Sequence, residues 1–223
     1  MRIALLSDIH ANLVALEAVL AEVGAADQIW VMGDTVGYGP EPADVLAALV
    51  ERNARLVAGN HDRAVGTGAG LELFNPPARA AALLHRGWLS AADRDLLGAL
   101  PLTFASDLGY TVCHGSPRDP LWEYVFDLGT AADAMRATPT PHCCHGHTHV
   151  PAVLELPGGR RMINPGSVGQ PRDGDPRAAY AWLDSATATV ELRRVAYDIR
   201  STQDRMRALG LPEILADRLA HGF

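Results

Sequence analysis

Residues 145–149, His145-Gly146-His147-Thr148-His149, place three histidines at alternate positions directly after an apolar run. A neutral imidazole is the commonest protein ligand for a divalent transition metal. On an extended chain, side chains two residues apart point the same way, so His147 and His149 can reach one small volume. The stretch lies deep within the chain, which argues against a tag remnant. A His-rich tract alone is only a compositional hint. Four other stretches carry residues able to complete a metal site: Asp8-Ile9-His10, Gly33-Asp34, Gly59-Asn60-His61-Asp62 and His114. Mixed imidazole, carboxylate and amide donors suit Mn²⁺, Fe, Ni²⁺ or Zn²⁺ and do not choose among them.

Each of these stretches follows a run that reads as a strand. Residues 2–6 are apolar in the manner of a strand buried on both faces, and a helical pattern follows from Leu13, with Asn12 as its cap. The unit repeats with strand 28–32, the Gly33-Asp34 end, and a helix from Ala43 to Val50. A third strand, 55–58, ends at Gly59. In open α/β sheets, ligands sit beyond the carboxyl ends of strands, where these polar loops lie. Helices are predicted over 77–88, 90–100 and 130–136, and over 199–219 with a break near Gly210. The later half reads mostly as hairpins: 102–105 with 110–113, 153–156 with 161–163, and 178–183 with 189–195. Residues 122–126 read as a further short strand. Strand–helix units followed by hairpins predict an α/β fold, a four-layer α/β/β/α sandwich of two packed mixed sheets flanked by helices.

The chain has 223 residues and 48% apolar content, enough for a full core, and no linker, repeat or composition shift divides it. One domain over 1–223 is the expectation. The formal charge of −7 argues against a nucleic-acid polymer as partner. No apolar run nears membrane-spanning length. The N-terminus meets an acid too early for a signal peptide. The three cysteines lie in apolar runs and suggest core packing rather than a disulfide framework. A cytoplasmic location follows by default, with a homo-oligomer left open.

Taken in order, Asp8-Ile9-His10, Gly33-Asp34, Gly59-Asn60-His61-Asp62, His114 and Gly146-His147-Thr148-His149 resemble the calcineurin-like metallophosphoesterase family. Asn164-Pro165-Gly166-Ser167 adds a likeness to its small bacterial phosphodiesterase branch. Cys113 stands before His114 where that family often has Gly. The resemblance implies two divalent metals. Asp8, His10, Asp34 and His149 would hold one; Asp34, Asn60, His114 and His147 would hold the other, with Asp34 bridging. It implies a metal-bound hydroxide attacking phosphorus, with the metals roughly 3.5–4 Å apart. His61 would face the substrate and protonate the leaving oxygen, and Asp62 would hydrogen-bond His61 and favour its protonated form.

A small phosphorylated substrate, nucleotides included, is the expected partner, and phosphodiester hydrolysis the expected reaction. Dinucleoside polyphosphate hydrolysis and serine/threonine protein dephosphorylation are the alternatives within the enzyme class. A non-catalytic scaffold of the same fold is the alternative outside it. Asp62 reads equally as a turn residue or helix cap. Asn12 and Arg172 are candidate phosphate contacts, against readings as a cap and a solvated loop charge. Tyr38 is a candidate pocket wall or core cover. Asn164 supports the site or forms a plain turn. His145 supports the ligands from behind or joins them. Trp88, Trp122 and Trp182 read as core residues.

Overall fold

The computed structural model describes residues 1–223. Strand β1 (Arg2–Leu6) leads into α1 (Leu13–Glu22), β2 (Gln28–Val31) into α2 (Pro42–Glu51), and β3 (Arg55–Leu56) into α3 (Asn60–Thr67). Helices α4 (Pro76–Trp88) and α5 (Ala91–Ala99) follow, then β4 (Thr103–Ala105), β5 (Tyr110–Cys113), α6 (Leu128–Ala134) and β6 (His142–Cys144). The hairpin β7 (Ala152–Leu156) and β8 (Arg160–Asn164) precedes the hairpin β9 (Ala178–Asp184) and β10 (Thr189–Val195). Helices α7 (Ile199–Ala208) and α8 (Glu213–Asp217) come last.

Two five-stranded mixed sheets result, with orders β10-β9-β1-β2-β3 and β4-β5-β6-β8-β7. In the first, β1, β2 and β3 are parallel and β9 joins β1 antiparallel. In the second, β5, β6 and β8 are parallel, with antiparallel β4 and β7 at the edges.

Period-two alternation explains the layers. Ile3 and Leu5 point between the sheets and pack with Trp30, Val112, Cys144 and Ile163. Ala4 and Leu6 point the other way, against Leu16 and Val19 of α1 and Leu49 of α2. On the far face of the second sheet, Cys143 and Met162 meet Ala131 and Ala134 of α6. Strands buried on both faces read as continuous apolar runs, which is why β1 shows no polar alternation. The α/β/β/α sandwich predicted above is the fold observed.

Two expectations are corrected. Residues 122–126 form no strand: Val125 is buried and Tyr124 and Phe126 are exposed, so the alternation is real, but no neighbour pairs with this backbone. The third strand ends at Leu56 rather than Ala58, because Ala58 bonds to the Pro101 carbonyl instead of the sheet.

Candidate metal centre

The loops leaving β1, β2 and β3 and those after β5 and β6 converge at one end of the sandwich. They bring Asp8, His10, Asp34, Asn60, His114, His147 and His149 together, all buried. Five of these donors occupy left-handed backbone: Asp8 (φ 52°), His10 (49°), Asp34 (52°), His147 (67°) and His149 (59°). Such turns re-aim side chains that a straight strand would point into the core, and they persist only where surrounding structure enforces them.

Hydrogen bonds fix which atom each residue presents. His10 Nδ1 donates to the Val36 carbonyl at 3.1 Å, His114 Nδ1 to the Met32 carbonyl at 2.8 Å, and His149 Nδ1 to the Gln170 carbonyl at 2.6 Å. A carbonyl oxygen only accepts, so each ring keeps a bare Nε2 on the opposite side. The bare nitrogens of His10 and His149 then lie 3.2 Å apart, and Asp8 Oδ1 lies 3.2 Å from that of His149. Asp8 Oδ2 accepts from the Ser7 hydroxyl and the His147 amide, while Oδ1 is buried with no hydrogen-bond partner. On the other side, His114 Nε2 faces Asn60 Oδ1 at 3.0 Å and His147 Nδ1 at 2.9 Å.

Asp34 joins the two groups through a single oxygen. Its Oδ1 accepts the His61 amide at 2.9 Å, while Oδ2 lies 3.6 Å from His10 Nε2 and 3.4 Å from His114 Nε2. Lone pairs crowded this closely repel unless cations sit among them. The donor set therefore fits divalent metal: the donor atoms of Asp8, His10 and His149 lie within 4.8 Å of one another, as do those of Asp34, His114 and His147.

Electrostatics agree. Burial, with His149 next, holds His10 well below the usual imidazole range. Burial lowers His149 to about 4 and His147 to about 2. Neutral imidazoles are the form that ligates. Burial raises Asp8, but His149, then His114 and the Ser7 hydroxyl, outweigh it and hold the carboxyl low. Burial, and then the carboxylates of Asp62 and Asp8, push Asp34 well above the carboxylate range.

His61 lies beside the donors. Its ring is held between Tyr38 and Phe74, with centroid separations of 4.5 and 4.4 Å, and a ring nitrogen comes within 4.8 Å of donors on His10 and Asp34. Asp62 does not touch it. Asp62 Oδ1 accepts from the Thr35 hydroxyl and the Val36 amide, and Oδ2 from the Gly59 amide. Consecutive residues on a helix do not face each other, so adjacency in α3 separates the two side chains. Asp62 is a capping residue, and the expected His61–Asp62 bond is corrected. Burial, then Arg172, holds His61 well below the usual range, so the resting ring is neutral rather than protonated.

The cleft above the donors is walled by Tyr38, Phe74, Trp122, Tyr124 and Arg172. Arg172 donates to Gln170 Oε1 and Tyr38 Oη, forms no salt bridge, and keeps a buried Nε without a partner. Asn12 is not in this cleft. It caps α1 through the Ala15 amide and bonds the Gly169 carbonyl, Tyr197 and Thr202, which corrects its reading as a substrate contact. Asn164 donates to the Gly146 carbonyl and the Thr148 hydroxyl, bracing the turn that carries His147 and His149. His145 is buried with neither ring nitrogen hydrogen-bonded.

Several residues that shape the site were not singled out from sequence. Ser7 orients Asp8, and His85 bridges the Gly37 amide and the Gly39 carbonyl. Trp122 lines the cleft and Trp88 is partly exposed, so only Trp182 of the three tryptophans is core. The Trp122-x-Tyr124-x-Phe126 spacing was the available signal for the aromatic wall.

Converging carboxylate and imidazole donors at the loop end of a two-sheet sandwich define a metallohydrolase class. A model of the calcineurin-like phosphoesterase superfamily domain matches residues 1–188, and the chain belongs to that superfamily as a metal-dependent phosphoester hydrolase. It is similar to a metallophosphoesterase from Sphaerobacter thermophilus, with 44% identity, TM-score 0.90, and coverage of 100% of this chain and 99% of that one. An uncharacterised Methanocaldococcus jannaschii protein is 34% identical over 99% of this chain and 98% of its own length. A symmetrical bis(5'-nucleosyl)-tetraphosphatase from Nitrosococcus oceani is 36% identical over 120 residues, covering 50% of this chain and 39% of that protein.

Proposed function

We propose that this protein is a phosphodiesterase acting on small or nucleotide phosphoesters with two divalent transition-metal ions. The observation that supports it is Asp34 Oδ2, placed between two converging donor sets at the floor of a cleft that also holds His61 and Arg172. Bound cations would supply Lewis-acid charge and water acidic enough to attack near neutral pH. Asp8, His10, Asp34 and His149 would hold one of them, and Asp34, Asn60, His114 and His147 the other. Arg172, without a carboxylate partner, binds a non-bridging phosphate oxygen. The neutral His61 faces the substrate. An arriving phosphate anion favours its protonated form, which then gives its proton to the leaving oxygen.

The test is hydrolysis of bis(p-nitrophenyl) phosphate by purified protein with Mn²⁺, against an Asp34→Asn control. Equal rates in the two proteins sink the proposal. The partial likeness to a symmetrical tetraphosphatase supports a second reading, hydrolysis of dinucleoside polyphosphates. A panel of monoesters, diesters and pyrophosphates separates the two by kcat/KM.

A further inference from the structure

The wall of the cleft continues outward as a ladder of aromatic rings that the metal chemistry does not use. Tyr124 stacks on His147 with centroids 3.9 Å apart and planes 21° from parallel. Phe126 lies parallel to Tyr124, 5.9 Å away and within 5°. On the same stretch, Trp122 meets Phe74 edge-on at 5.9 Å. The ladder thus begins on a metal donor and runs to the surface.

These rings are held out by the chain itself. Val125 is buried in the cluster beneath α6, so its neighbours must face the opposite way, leaving Tyr124 48% and Phe126 63% exposed. Just before them, Glu123 is tied to the Ser116 hydroxyl and the Arg118 guanidinium. Asp119 Oδ1 accepts the amides of Leu121 and Trp122. An exposed aromatic costs solvation free energy, and anchoring such rings in parallel array beside a polar cleft marks a binding surface. Its geometry suits a flat aromatic ring. Stacking needs only a π-face, and the formal charge of −7 disfavours a long polyanion over a small nucleotide.

We infer that Tyr124 and Phe126 form a stacking subsite for the nucleobase, or an equivalent planar ring, of a small phosphoester whose phosphate lies over the metal donors. This rests on the phosphoesterase reading above and narrows it to base-bearing substrates. Trp122 and Phe74 line the same cleft.

The experiment compares AMP with ribose 5-phosphate as competitors of bis(p-nitrophenyl) phosphate hydrolysis in the Mn²⁺-loaded enzyme. The two ligands share the ribose phosphate, and AMP carries adenine where ribose 5-phosphate has its anomeric hydroxyl. The wild type is expected to bind AMP at least tenfold more tightly. Phe126→Leu is expected to cut the ratio of the two inhibition constants by roughly tenfold, the loss of one base–aromatic contact, and Phe126→Trp to keep it. Phe126 is well exposed, so neither change threatens folding. Equal competition by the two ligands in the wild type, or a ratio unmoved in Phe126→Leu, overturns the stacking subsite and leaves the phosphoesterase reading standing. No hydrolysis of any phosphoester overturns both.

Discussion

A Cβ built on residue 37 would lie 2.2 Å from Nδ1 of His61. Gly37 and the His61 ring share one space, and the backbone there has φ +92°, open to glycine and strained for other residues. Gly37→Ala is expected to push His61 off its seat between Tyr38 and Phe74. Turnover should fall at least tenfold, with both metals retained. Elemental analysis beside kcat checks this. His61→Ala should behave alike, and loss of a metal from it would make His61 a ligand.

Metal removal should destabilise the protein, because it leaves crowded lone pairs and a buried Asp8 oxygen without partners. A cation at a hundred times its Kd adds about 2.7 kcal/mol, which raises Tm by roughly 5–10 °C in a chain of this size. Calorimetry with EDTA and then Mn²⁺ reads the difference. Asp34→Asn should abolish most of the Mn²⁺-dependent rise, since both donor sets lose their shared oxygen.

Asn164→Ala removes two hydrogen bonds, at 2.8 and 2.9 Å, that brace the His147–His149 turn. Loss of such support around metal ligands typically costs about 10- to 100-fold in metal affinity. Titration with Mn²⁺ measures it, and unchanged affinity would make the Asn164 contacts purely structural.

Stability should fall with acid through His85. Burial lowers its pKa to about 4, against about 6.5 in an unfolded chain. Between those values the unfolded state binds a proton that the folded state refuses, so stability falls as pH drops from about 6.5 to about 4. The ceiling on this contribution is about 3 kcal/mol. Urea unfolding at pH 7 and pH 5 should show a shallower pH slope for His85→Gln than for the wild type.

Asn12→Ala should cost about 1 kcal/mol of stability through the lost helix cap, with KM unchanged. A raised KM would return Asn12 to the substrate.

The donors were legible in sequence because each is a required residue type at the end of a strand that the apolar pattern marks. Asp8, His10, Asp34, Asn60, His61, His114, His147 and His149 stand out as polar strand ends, and the resemblance to the calcineurin-like family supplied their separate roles. Of the two readings open for Asp62, the helix cap is the one observed; the bond to His61 that the resemblance implies does not form, because helical rotation turns Asp62 toward Thr35. Trp122 was misread as core because its apolar surroundings look alike whether a neighbouring strand covers them or a cleft exposes them. His85 carried no signal: its partners, Gly37 and Gly39, lie far away in sequence and offer only backbone atoms.

The left-handed turns at Asp8, His10, Asp34, His147 and His149 cost of order 1–3 kcal/mol each when held outside glycine. Neighbouring loops offset that expense: the Asp8 amide donates to the Gly33 carbonyl, the His10 amide to the Asp34 carbonyl, and the Arg172 amide to the His149 carbonyl. The strained turns thus brace one another across the sheet end, so a change that frees one relaxes its neighbour as well.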